Sequence, residues 1–88
     1  MAPQLETVSR ASILARLAQV SESDPSRLGG VRVFRGTRVP VRSLFDHLRA
    51  GDALETFLDD FPGVTRQQAE EVIALAAEDL LLAESAIA

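Results

Sequence analysis

Cysteine is absent from the sequence, so the chain can form no disulfide and offers neither a thiolate metal ligand nor a thiol nucleophile. Tyrosine and tryptophan are also missing, and His47 is the single histidine. A zinc site needs about three or four cysteine or histidine ligands, so we expect no metal and no cofactor. Catalysis needs titratable groups that converge, and this sparse set predicts a non-enzymatic protein without a small-molecule substrate.

Long apolar runs are missing as well. No run approaches the roughly 20 residues that span a bilayer, and residues 1–10 lack the basic region and apolar stretch of a signal peptide. Nothing suggests an oxidising compartment, so we expect a cytoplasmic protein without membrane contact. The 88 residues, of which 47% are hydrophobic and 25% charged, fit one ordinary globular domain.

Lysine is the last absence, since all nine basic residues are arginine. The net charge of the whole chain is −4, which taken alone argues against nucleic-acid binding. The charge is unevenly spread, however: residues 1–26 sum to −1, residues 27–49 to +5 (six arginines against Asp46) and residues 50–88 to −8 (nine acids against Arg66). Arginine favours forked recognition of phosphate or carboxylate, while a genomic preference for arginine codons is an equal explanation.

Apolar residues recur at three- and four-residue intervals over residues 7–20 and predict a first helix, which Thr7 or Ser9 can cap. Residues 21–30 are dense in serine, aspartate, proline and glycine, and this composition predicts a loop. An N-terminal helical arm and its loop are therefore expected over residues 1–28.

The second part of the chain, residues 29–88, is predicted to begin with a short β-hairpin. The sequence from Val31 alternates apolar and basic residues, Gly36 lies where a tight turn is needed, and strand-forming residues resume over 38–41. Pro40 cannot donate to a ladder, so the second strand must lie at an edge or end there.

Three helices are predicted to follow the hairpin, because apolar residues recur with helical spacing from Val41 onwards. The signals that bound them are the terminating Gly51, the capping pair Asp52 and Glu55, the stop at Pro62, and the capping pair Thr65 and Gln68. The expected fold is mostly α, with an N-terminal helix and a short β-hairpin before a three-helix bundle of the helix-turn-helix kind.

The arginine-rich hairpin is the first candidate site. Alternation along the strand turns Arg32 away from the core, and the turn exposes further arginines on the same rim. The alternative is a charged edge that protects the strand from pairing with other chains. For Arg42, the alternative is an ion pair with Asp46, four residues later on a helix.

The last three predicted helices also follow the plan of helix-turn-helix DNA-binding domains, in which the start of the final helix reads bases. Arg66 and Gln67 suit that role, yet Glu70 and Glu71 follow at once and would repel phosphates. A purely structural three-helix core is an equal alternative. The candidate DNA-binding residues are Arg32, Arg35, Thr37, Arg38, Arg42, Arg66 and Gln67.

Adjacent acids on the last helices, such as Glu78 with Asp79, point about 100° apart and cannot converge on one atom, so we expect a solvated acidic face. The last helix also carries an apolar stripe of Leu75, Leu82 and Ala86 where a monomer's helix should be polar. Two explanations stay open: another chain covers the stripe, as in a homodimer, or the N-terminal helix docks on it.

Four motifs resemble domain-of-unknown-function family 433. They are G-x-x-x-F-R-G-T-R-V-P-V over residues 30–41, L-x-x-G ending at Gly51, F-P-G-V-T over 61–65 and the alanine pattern that begins at Ala69. The resemblance extends from Gly29 to about residue 80. The shared structural signature falls on Gly36, Pro40, Val41, Gly51 and Pro62.

The resemblance implies a homeodomain-like or winged-helix domain of prokaryotes that acts as a VapB-like antitoxin against a PIN-like ribonuclease toxin. The leading hypothesis is therefore the antitoxin of a type II toxin–antitoxin module, which also binds operator DNA as a dimer. The acidic C-terminal half would suit the basic groove of such a nuclease. The alternatives are a stand-alone DNA-binding transcription regulator and a dimeric protein-interaction module that does not bind DNA.

Overall fold

The computed structural model describes residues 9–26 and 28–87. This part of the chain contains four α-helices and two short strands. In chain order they are α1 (Arg10–Val20), β1 (Ser21–Ser23), a 3-10 turn (Leu28–Gly30), β2 (Arg32–Phe34), α2 (Val41–Arg49), α3 (Leu54–Asp60) and α4 (Arg66–Ile87). The fold is mostly helical, as the sequence predicts. None of the described helices has both the length and the apolar content needed to cross a bilayer.

Helix α1 begins at a reciprocal cap. The Ser12 backbone N–H donates to Ser9 Oγ at 3.1 Å, and the Ser9 N–H donates to Ser12 Oγ at 3.1 Å. Both bonds satisfy donors that the first turn leaves without helical partners. Ser9 is therefore confirmed as a cap, while Thr7, the other predicted candidate, lies outside the described residues.

The two-stranded sheet pairs β1 with β2 in antiparallel register, with Ser21 opposite Phe34. The predicted second strand, residues 38–41, is reduced to a single bridge between Val33 and Pro40. Strand β2 thus pairs with residues 21–23 instead of with residues 38–41. Residues 21–23 are therefore not the loop that their composition predicts. The predicted strand is cut short because Pro40 has no N–H to continue a ladder. The new strand begins at Ser21, which is fully buried and whose hydroxyl donates to the Leu17 carbonyl at 2.6 Å.

The core draws on β2, α2, α3, α4 and the turn before α4. Its fully enclosed cluster is Phe34, Leu44, Phe57, Val64, Ala69 and Val72. Helix α1 contributes Leu17 and Val20 only at the margin of this cluster. Gly36 and Gly51 have φ values of 79° and 91°, as the predicted turn and helix terminator require. The residues of the enclosed core cluster therefore all come from the stretch 34–72.

One of the two predicted capping boxes is wrong. Helix α3 begins after Ala53 without a side-chain cap, and Asp52 instead lies 2.9 Å from His47 Nδ1. The ring nitrogen at the end of α2 thus engages the carboxylate that would have capped α3. The second box is confirmed, because Thr65 and Gln68 exchange backbone-to-side-chain hydrogen bonds of 3.0 Å each.

Candidate functional site

Arg35, a predicted DNA contact, is bound to the fold. One guanidinium nitrogen donates to the Ala18 carbonyl at 2.6 Å and to the Ser21 carbonyl at 2.9 Å. The other lies 3.7 Å from Glu22. Helix ends leave carbonyls without partners, so this side chain closes the C-terminus of α1. Its role in the structure is to hold α1 and β1 against β2.

The turn after β2 is also held internally. The Thr37 hydroxyl donates to the Phe34 carbonyl at 2.8 Å and accepts the Val39 N–H at 3.0 Å. Arg32 is an exposed residue, but its guanidinium donates a hydrogen bond to Ser21 Oγ at 2.9 Å. Pro40 precedes the first residue of α2, and the half-buried Val41 begins that helix. The signature residues here form a turn whose geometry sets the start of α2.

The arginines on and just before α2 are free of this network. Arg38 and Arg49 are exposed, and no acidic partner for either lies within the described ranges 9–26 and 28–87. The side chain of Arg42 is 84% exposed and lies 3.8 Å from Asp46, the surface ion pair expected from their spacing. We call Arg38, Arg42 and Arg49 the α2 arginine surface. Arg49 is absent from the predicted site, although its seven-residue spacing from Arg42 places both on one helix face.

The start of α4 offers much less than the sequence predicts. Arg66 lies 2.7 Å from Glu55 and 3.5 Å from Glu70, and its hydrogen bond to Glu55 raises the pKa of Arg66. The same bond lowers the pKa of Glu55. The Gln68 amide donates to the Arg35 carbonyl at 3.1 Å. Arg66 and Gln67 are both exposed, but of the two side chains only that of Gln67 makes no hydrogen bond or ion pair within the described residues.

Part of the predicted acidic face is an internal contact. Arg16 of α1 lies 3.0 Å from Glu71 and 2.7 Å from Glu78, and these hydrogen bonds raise the pKa of Arg16. Arg10 lies 3.2 Å from Asp79. The order of these pairs shows that α1 and α4 run in opposite directions. These three acids of α4 bind α1, so they are not the solvated face that the sequence predicts.

The apolar stripe on α4 is divided between two environments. Leu75 is 3% exposed and lines a groove with Ile13 and Leu17 of α1, so it is not available to a second chain. Leu82 is half-buried, and Ala86 is exposed. The docked N-terminal helix, one of the two explanations left open by the sequence, thus accounts for Leu75.

Large apolar side chains are exposed at the far end of α4. Leu80 is 70% exposed, Leu81 58% and Ile87 85%. Together with Ala83 and Glu84 they line a groove of about 360 Å³. We call Leu80, Leu81 and Ile87 the α4 apolar end. The sequence does not predict this surface, because apolar spacing alone does not reveal where the neighbouring helix stops covering α4.

His47 joins two helices. Its Nε2 lies 4.0 Å from Asp60, and its ring makes edge contacts with Phe57 and Phe61 at centroid distances of 5.5 and 5.7 Å. The side chain is half-buried. Within the described residues, no group of three or more histidine, aspartate or glutamate side chains is arranged to hold a metal ion. The histidine fastens the end of α2 to α3.

These features define a small, mostly helical domain with two exposed surfaces of opposite chemistry, one rich in arginine and one apolar. Residues 22–76 match the family described as "Protein of unknown function (DUF433)", and the chain belongs to this family. The predicted resemblance is confirmed at this level. The matched stretch begins after α1 and contains the whole enclosed core cluster.

A relative in Sinorhizobium fredii (strain NBRC 101917 / NGR234) is the "Uncharacterized protein y4eO". It is 36% identical over 55 residues, a stretch that makes up 62% of this chain and 25% of the relative. The chain thus corresponds to about a quarter of that protein's length. No solved structure matches the chain.

Proposed function

We propose that this chain is a non-catalytic antitoxin that neutralises a PIN-like ribonuclease by docking the α4 apolar end on it. The exposure of Leu80, Leu81 and Ile87 is the observation that carries the proposal. Moving a large apolar side chain fully out of water contributes roughly 1.5–3 kcal/mol. Burial of three such residues at one helix end would therefore contribute substantially to the free energy of binding. Isolated exposed leucines are ordinary, whereas large apolar side chains exposed together favour an interaction site.

The charge of α4 favours a basic partner over a second copy of the chain. After Arg66 the helix carries five acids and no base. Four of these acids already lie beside arginines of the described residues, so Glu84 is the one that remains for a partner. Two copies paired at this end of the helix would bring Glu84 of each close together, whereas the basic RNA-binding groove of a nuclease would meet it with opposite charge. Glu84 lines the groove of the α4 apolar end, where it would face such a partner.

Binding of operator DNA, as a dimer, is the second half of the proposed antitoxin function. The exposed arginines around α2 support it, because phosphate binding depends on arginine and lysine that are free to leave their own acids. A stand-alone transcription regulator would use the same arginines and no toxin. A dimeric interaction module would need neither DNA nor a toxin, and Glu84 in the groove disfavours the α4 apolar end as the contact surface between two copies.

The test is co-expression with a PIN-like protein encoded beside this chain, followed by affinity capture of the chain and measurement of ribonuclease activity. We expect the wild-type chain to retain the PIN-like protein and suppress its activity. Leu81→Arg combined with Ile87→Asp should weaken retention by about tenfold or more, as expected when charged groups replace an apolar anchor. The partner's absence from the wild-type capture would refute the proposal.

The matched control is Leu14→Arg on α1. Leu14 is 54% exposed, close to the 58% of Leu81, but it lies on a different helix. We expect this variant to retain the partner as the wild type does. Equal loss of binding in both variants would mean that general insertion of charge, and not the α4 apolar end, disrupts the complex.

A further inference from the structure

We infer that the helix of this protein that faces duplex DNA is α2, through Arg38, Arg42 and Arg49, and not α4, whose start the sequence predicts to read bases. The inference rests on the DNA-binding half of the proposed function and is independent of toxin binding. The arginines of the described residues differ in whether another group already binds them.

The start of α4 is poorly suited to phosphates. Arg66 is held at 2.7 Å by Glu55, and a second carboxylate, Glu70, lies 3.5 Å away. Glu70 and Glu71 both belong to the first turns of the helix, so a phosphate strand laid along it would approach negative charge. Gln67 can contact a base edge but neutralises no phosphate.

Three other arginines are similarly occupied. Arg10 and Arg16 join α1 to the acids of α4, and Arg35 closes the C-terminus of α1. Bringing any of them to a phosphate would break its contact with α4 or with the C-terminus of α1. These side chains account for much of the positive charge of the sequence without offering it to a partner.

The α2 arginine surface differs in this respect. Arg42 and Arg49 are seven residues apart, so they lie on the same face of the helix. Arg38 is exposed three residues before the start of the helix, and Asp46 is the single acid within α2. The 3.8 Å pair of Arg42 with Asp46 is exposed and loose, so the guanidinium can turn towards a phosphate at little cost.

The composition of this surface favours a polyanion over an acidic protein. Helix α2 turns its large apolar residues inwards, with Leu44 fully buried and Val41, Phe45 and Leu48 half-buried. A protein interface needs an apolar centre, which the exposed face of α2 lacks. Arginine forks on a polar surface instead match the oxygens of a phosphate backbone. Such contacts position the duplex without reading its sequence.

The experiment measures binding of the full-length chain to a labelled duplex of about 20 base pairs between roughly 50 and 200 mM salt. We expect the slope of log affinity against log salt to fall by roughly 0.9 for each phosphate contact removed, in Arg42→Gln and again in Arg49→Gln. Arg66→Gln is the matched control, because it changes the net charge by the same amount. We expect its slope to equal that of the wild type. Circular dichroism melts show whether each variant is folded at the assay temperature.

Several outcomes would overturn the inference. A reduced slope in Arg66→Gln with unchanged slopes in the α2 variants would assign the DNA to α4. Equal reductions in all three variants would mean that overall charge, and not one face, attracts the duplex. Displacement of the duplex by polyglutamate at an equal concentration of charge would point to an acidic protein. No retention of the duplex at the lowest salt would exclude DNA, while capture of the PIN-like protein would still test the antitoxin proposal separately.

Discussion

The two ends of α4 belong to one continuous helix but have opposite relations to the rest of the molecule. Residues 66–79 bury Ala69, Val72 and Leu75, and their acids meet the arginines of α1. Residues 80–87 keep the helical conformation while exposing large apolar side chains. Hydrophobic content therefore does not decide burial along this helix. Burial depends instead on whether α1 lies over α4. Helix α1 begins at Arg10, which lies beside Asp79, so α1 does not cover the residues of α4 beyond that point.

The largest effect that would test this comparison is on the free energy of unfolding. Leu75→Ala should lower it by about 2–5 kcal/mol, because the buried side chain leaves a cavity between α1 and α4. Leu81→Ala, the same substitution on the exposed end, should change it by less than about 0.5 kcal/mol. Urea denaturation of both variants measures the difference. Similar losses at the two positions would show that both parts of α4 are packed alike.

A smaller effect should come from the charged contacts between α1 and α4. Arg16→Ala removes the hydrogen bonds to Glu71 and Glu78, so we expect this variant to melt at a lower temperature than the wild type. The difference in melting temperature should shrink at high salt, because ions screen exposed pairs. Arg42→Ala is the control, because its single partner is 3.8 Å away and exposed. If both variants melt at the wild-type temperature, the arginines of α1 do not secure it on α4.

The smallest effect concerns the start of α4 and depends on pH. Arg66 lowers the pKa of Glu55 in the folded state, so their pair stabilises the fold above the ordinary carboxyl pKa. That stabilisation is lost as the pH falls through the lowered value. Arg66→Gln should therefore melt slightly below the wild type at neutral pH, and the gap should close in acid. Arg49→Gln removes the same charge without a partner and should show no such pH dependence. A gap for Arg66→Gln that stays constant with pH would be evidence against the pair.

The features that the sequence predicts well are local. The Thr65 and Gln68 cap needs residues three apart, and the positive φ of Gly36 and Gly51 follows from glycine's freedom at turns. Burial on α2 follows from helical spacing, with Leu44 at its centre. Each of these signals is contained within one turn or one helix.

The features that the sequence predicts poorly depend on distant partners. Nothing in Ser-Glu-Ser has high β-propensity, and β1 forms because tertiary contacts bury Ser21 beside β2. Which arginines stay free is equally non-local: Arg16 binds Glu71, and Arg66 binds Glu55 on another helix. The net charge of residues 27–49 correctly identifies a basic segment. It cannot identify Arg35 as a residue that closes α1.

The enclosed core lies wholly inside the stretch shared with the family, and this has a consequence for engineering. Residues 80–87 lie beyond both that stretch and the contact with α1 at Asp79, so they can be varied without repacking the centre. A library randomised at Leu80, Leu81 and Ile87 would vary an exposed apolar surface and leave the residues of the core cluster unchanged. The domain could in this way serve as a scaffold on which new binding surfaces are selected at the end of α4.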